Sequence, residues 1–138
     1  IGLTAAHTRG DMTRAVMEGI AFALYDSYNL ADSLTPDTIR IIGGGAKSEL
    51  SRKILTDIFN IKSEVLAIQE GPSYGAALLA LFGTENEKDM DKKLREIVKI
   101  TDIIEPDSNN HKEYKRRYDV YTRLYNALKN EFFEISRL

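Results

Sequence analysis

Cysteine is absent from this chain of 138 residues, and histidine occurs only twice. Without cysteine there is neither a disulfide framework nor a thiolate metal site, which fits a reducing, cytoplasmic compartment. His7 and His111 lie far apart and lack companion ligands at zinc-site spacing, so a metal centre is not expected. No apolar run approaches the roughly 18 to 20 residues that span a bilayer, which argues against a membrane segment. A formal net charge of -2 gives no electrostatic case for nucleic acid or for an anionic membrane surface. The opening Ile1-Gly2-Leu3-Thr4 has no initiator Met and no signal-peptide layout, and so predicts a piece of a longer polypeptide. The composition, 43% hydrophobic and 29% charged, is that of an ordinary globular protein with a single core.

The periodicity reads as α-β-α-β-α followed by a long helix. A first helix is expected over 10–33, with Thr8 as N-cap and Asp11 as its capping-box partner. Met12, Val16, Gly19/Ile20, Ala23/Leu24, Ser27 and Ala31 recur at helical steps and predict its inward stripe. Pro36 breaks the chain ahead of a strand over 38–42, whose β-branched run predicts burial on both faces of a parallel sheet. A helix over 49–60, a second strand over 63–68 and a small-residue helix over 73–81 follow. The two strands are expected to be parallel through a right-handed crossover. Because two strands cannot make a stable doubly covered sheet, further strands are expected upstream of Ile1.

Beyond Gly83, the charged stretch 84–93 reads as a solvated loop, followed by a short helix over 94–100. Ile103-Ile104-Glu105-Pro106-Asp107 reads as an extended connector ended by a turn. A final helix over 110–135 carries Tyr114, Tyr118, Tyr121, Tyr125, Leu128 and Phe132 at alternating four- and three-residue steps. Such a row packs against the parent domain or forms a homodimer seam, and periodicity does not separate the two.

The chemistry is concentrated between the first strand and the next helix, in Gly43-Gly44-Gly45-Ala46-Lys47-Ser48. Backbone N–H groups free of side chains, ahead of a helix start, suit phosphate. The competing reading is a tight strand-to-helix loop with no ligand. The stretch is not a Walker A loop, because Ala46 rather than glycine precedes Lys47-Ser48. It meets only half of a Rossmann fingerprint, although Glu64 lies near the distance of the ribose-binding acid, and a long helix precedes it. No nucleophile elbow and no basic-aromatic interleaving occurs. Lys47 either contacts a phosphate or is simply exposed. Glu49 complements the helix dipole and is also placed to meet a nucleotide base.

Four landmarks in order resemble the C-terminal half of the FGGY carbohydrate kinases. They are Gly2-Leu3-Thr4 with His7-Thr8-Arg9-Gly10, then Glu18-Gly19-Ile20-Ala21-Phe22, then Gly43 to Ser48, then Glu70-Gly71-Pro72-Ser73-Tyr74-Gly75-Ala76-Ala77. The tail, Glu105-Pro106-Asp107 with Tyr114, Tyr118, Tyr121 and Tyr125, is similar to the closing helix of the same family. The resemblance implies an incomplete ribonuclease H-like, actin-like ATPase domain. Residues 1–84 would be the core of its nucleotide-binding lobe, and 85–138 a charged connector and helical extension. It places the phosphate- and adenosine-contacting turn on Gly44, Gly45 and Ala46, with Gly43 preceding it and Lys47 and Glu49 on the base and ribose side. It implies transfer of the ATP γ-phosphoryl group to a sugar hydroxyl, with Mg2+ bridging the phosphates and no protein ligand for the metal. The sugar would be D-xylulose, with ribulose, gluconate and glycerol as alternatives, and would be held mainly by the other domain. The general base would be an aspartate of that domain, so no catalytic residue is assigned here. Tyr74 departs from the family pattern, which has a smaller or aliphatic residue there. A reading of a different class is a non-catalytic α/β interaction module with a structural glycine turn.

Overall fold

In the computed structural model, residues 1–31, 35–68, 71–83 and 87–138 are described, residues 87–89 and 91 by their backbone only. The contacts divide the chain into two compact units: Ile1–Leu34, Asp57–Asn60 and Asp107–Leu138 form the first, and Thr35–Thr56 and Ile61–Pro106 the second.

The second unit is built on a three-stranded sheet. Strand β1 (Thr38–Ile41) leads through a 3-10 turn (Gly44–Lys47) into helix α2 (Glu49–Phe59) and strand β2 (Lys62–Leu66). The two strands are parallel, as their separation by a helical crossover predicts. Helices α3 (Gly71–Phe82) and α4 (Glu87–Ile97) follow, and strand β3 (Ile100–Ile104) returns antiparallel to β2, giving the order β1-β2-β3. The interior collects Ile41, Val65, Ile54 and Ala46. Two buried hydroxyls join it at no cost in unmade bonds, because Thr56 Oγ1 donates to Ser63 Oγ at 2.7 Å.

Three expectations need correction here. The segment around Ile103-Ile104 is not a connector but the edge strand β3, so the described sheet has three strands rather than two. Its isoleucines are mostly exposed, which removes the alternation that marks a half-buried strand. The charged stretch is not a loop from Glu87 onward but the first part of α4, whose Lys, Arg, Leu and Met are strong helix formers and whose Met90 and Leu94 supply a half-buried side. Thr84, Glu85 and Asn86 lie outside the described residues. Finally, β1 is not buried on both faces: Arg40 is exposed and pairs with Glu64, directly opposite in register, at 3.0 Å.

The first unit comprises helix α1 (Arg9–Asn29), helix α5 (Ser108–Ile135) and the end of α2. Thr8 and Asp11 make the reciprocal capping box at the start of α1. Hydrogen bonds from Leu30 to Ser27 and from Ala31 to Tyr28 tighten the last turn and end the helix before the expected Ser33, itself outside the described residues. The expected inward stripe of α1 is not the buried one. Val16 and Ile20 are 64% and 59% exposed, and Met12 and Leu24 are exposed too. The buried side runs instead through Glu18, Phe22 and Tyr25, because α5 offers rings and hydroxyls rather than aliphatic side chains. Phe22 lies within 5.4–6.1 Å of the Tyr114, Tyr118 and Tyr121 rings. Tyr114 Oη donates to Glu18 at 3.1 Å and accepts from Arg14 at 2.8 Å.

The start of α5 is fixed twice. Asp107 caps it by accepting from the amides of Asn109 and Asn110. The buried Asp57 carboxylate accepts in turn from the Asp107 amide at 2.8 Å and from Asn110 Nδ2 at 2.9 Å.

Candidate nucleotide-phosphate turn

The glycine run lies just beyond the C-terminal end of β1, a parallel strand, where ligands gather in open α/β sheets. Gly43 adopts φ 80° and ψ -162°, a conformation essentially reserved for glycine. The chain then winds into the 3-10 turn, with Ala46 N–H donating to Gly43 O and Ser48 N–H to Gly45 O. Ser48 Oγ accepts the Ser51 amide and so caps α2. Among the described residues, no backbone hydrogen bond uses the amides of Gly44 or Gly45. Both glycines are exposed, and a Cβ built on either would meet nothing within 4 Å. Space and unspent donors therefore occur together, next to the positive end of α2.

Of the other expected site residues, Ala46 is fully buried, with its amide spent on the Gly43 carbonyl and its carbonyl on Arg52. Lys47 and Glu49 are exposed, and among the described residues neither side chain has a hydrogen-bond or ion-pair partner. The six positions thus occupy one short turn, four of them accessible at its surface.

Two residues outside that expected set shape the turn. A Cβ on Gly71, the first residue of α3, would run into the side chain of Ile42. The starts of α2 and α3 therefore approach the same end of the parallel pair. Arg52, one turn into α2, donates from Nη1 to the Ala46 carbonyl at 2.6 Å, beneath the turn. Nothing in a linear reading marks Arg52, since an arginine on a helix is ordinarily solvated. Tyr74 spends its hydroxyl on the Ile97 carbonyl at the end of α4, at 3.4 Å. Glu70 lies outside the described residues. Among the described residues no group of three or more His, Cys, Asp or Glu could hold a metal ion, and no helix is long and apolar enough to cross a membrane.

Residues 1–84 match the C-terminal domain of the FGGY family of carbohydrate kinases. The chain belongs to that family. Among curated FGGY relatives it is 38% identical to the xylulose kinase of Staphylococcus epidermidis over 94% of its own length and 26% of that enzyme's. It is 33% identical to the xylulose kinase of Bacillus subtilis, again over 94% of this chain and 26% of the relative. The crystal structure of xylulose kinase from Rhodospirillum rubrum superimposes with a TM-score of 0.81 at 28% identity, covering 96% of this chain and 28% of that one. The chain thus spans about a quarter of the length of the FGGY kinases it matches. Its α/β sheet with a long C-terminal helix is the fold of the family's C-terminal, actin-like ATPase domain.

Proposed function

We propose that this chain is the ATP-binding lobe of a sugar kinase, and that the turn from Gly43 to Ser48 holds the nucleotide's phosphates. The observation that carries the reading is the pairing of unspent Gly44 and Gly45 amides with open space beside them, at the start of α2. Lys47 and Glu49, exposed on the same turn, take the base and ribose side. Magnesium arrives with the phosphates, which it bridges.

The reaction is in-line transfer of the γ-phosphoryl group to a sugar hydroxyl. Such chemistry depends on positioning and charge stabilisation, which this lobe supplies from one side only. The base that accepts the hydroxyl proton, and the main sugar contacts, belong to the remainder of the kinase. The sugar is D-xylulose, phosphorylated at its C5 hydroxyl; the names of the relatives support xylulose without its configuration or the position phosphorylated. The division into a nucleotide-binding core over 1–84 and a helical extension over 85–138 belongs to the same proposal. ATP titration of the 15N-labelled chain tests the reading: shifts centred on Gly43–Lys47 are expected, and their absence at millimolar ATP refutes it. The chain alone is expected to release no ADP in the presence of xylulose.

Self-association along α5 is the other use of its tyrosine row. Tyr114, Tyr118 and Tyr121 are engaged with α1, which leaves Tyr125 and Phe132 for such a seam. Analytical ultracentrifugation of the chain and of Tyr125→Ala checks it, and a monomer in both excludes it.

A further inference from the structure

Arg52 is unusual for an arginine on a two- to three-turn helix. Its side chain is only 16% exposed, yet among the described residues its one close polar contact is a backbone carbonyl, Ala46 O at 2.6 Å. A carboxylate, that of Asp102 on β3, stands 4.0 Å from Nη2. Nε is buried with no hydrogen-bond partner. A buried guanidinium with one unmade bond and a distant counter-charge carries a desolvation cost that packing alone does not repay.

The benefit is found at the turn. In the Ala46–Lys47 peptide the C=O and N–H point in opposite directions, and Arg52 takes the C=O side. With the Ala46 carbonyl held inward on Arg52, that oxygen cannot swing to the outer face, where its partial negative charge would confront a phosphate. The incompletely neutralised guanidinium also adds positive potential beneath the same amides. We propose that Arg52 is a positioning residue for phosphate binding: it keeps the Ala46 oxygen off the face that the Gly44 and Gly45 amides present. This rests on the nucleotide reading above.

The test is a set of NMR titrations of the labelled 138-residue chain with ATP and, separately, with adenosine, which shares the base and ribose but has no phosphate. Arg52→Met is expected to weaken ATP about tenfold, the worth of one charge-assisted bond, while leaving adenosine unchanged. It should also move the Ala46 carbonyl 13C shift, which reports the lost bond directly. Arg52→Lys is expected to recover part of the ATP affinity. Equal ATP affinity for Arg52→Met and the unaltered chain overturns the inference while the nucleotide reading stands. A parallel loss of ATP and adenosine overturns it too, by assigning Arg52 a purely structural role. No ATP response in the unaltered chain overturns both. Should Arg52→Met fail to fold, an ATP-to-adenosine affinity ratio in Arg52→Lys equal to that of the unaltered chain refutes the proposal.

Discussion

Replacing Phe22 with alanine is the most direct test of how α1 and α5 hold together. Phe22 is 6% exposed and touches three tyrosine rings of α5, at centroid distances of 5.4, 5.8 and 6.1 Å in tilted and edge-on geometries. Truncating a buried phenylalanine costs about 3–5 kcal/mol, and each aromatic pair contributes roughly 0.5–1.5 kcal/mol within such a total. The expected loss is therefore about 3–5 kcal/mol, against under about 1.5 kcal/mol for Phe22→Leu, which keeps most of the volume. The chain has no tryptophan, and six of its seven tyrosines (all but Tyr74) lie on α1 and α5, so tyrosine fluorescence during urea unfolding reports this unit selectively. A loss below about 1 kcal/mol for Phe22→Ala at an unchanged urea slope would show that the aromatic cluster is not what joins the two helices.

Other outcomes follow from the same contacts. Gly45→Val leaves folding largely intact, because a Cβ there meets nothing within 4 Å, yet it abolishes ATP-dependent shifts at the turn; undiminished binding would make the turn a mere connector. Gly43→Ala is strained by its φ of 80° and lowers stability by about 1–3 kcal/mol, read from urea midpoints. Burial first, then the Glu18 carboxylate, raises the Tyr114 hydroxyl above its ordinary 10.0. The folded chain therefore holds this proton more tightly than the unfolded one. That stabilisation is whole below pH 10 and disappears as the pH climbs through the raised value, so urea midpoints should fall on the alkaline side and do so less in Tyr114→Phe. Asp57→Ala strands the Asp107 amide and the Asn110 side chain, costing about 2–4 kcal/mol; a smaller loss than Ser136→Ala would discount the buried carboxylate as the anchor of α5.

What could be read in the residue order was what depends on local chemistry. Thr8 with Asp11, the triple glycine ahead of Glu49, and two short strands joined by a helix all act over a few neighbouring residues, and the structure places each as expected. The failures share a cause in partners distant along the chain. The aliphatic row of α1 had the right period, but the choice of buried face was made by the tyrosines of α5, some hundred residues away. Strand β3 was hidden because an edge strand with exposed isoleucines shows no alternation. Arg40 was misjudged as part of a doubly buried strand because Glu64 faces it only once β1 and β2 are in register. At the turn, the glycines were legible and Arg52 was not, since a helix-borne arginine reads as solvated until its carbonyl partner is known.

Strand β3 ends one side of the described sheet, so its outer row of peptide groups is a template on which another chain could align. Asp102, half exposed at the middle of that strand, sets a repelling charge where two such borders would meet. Converting it to valine should therefore trade a well-behaved solution for concentration-dependent clumping.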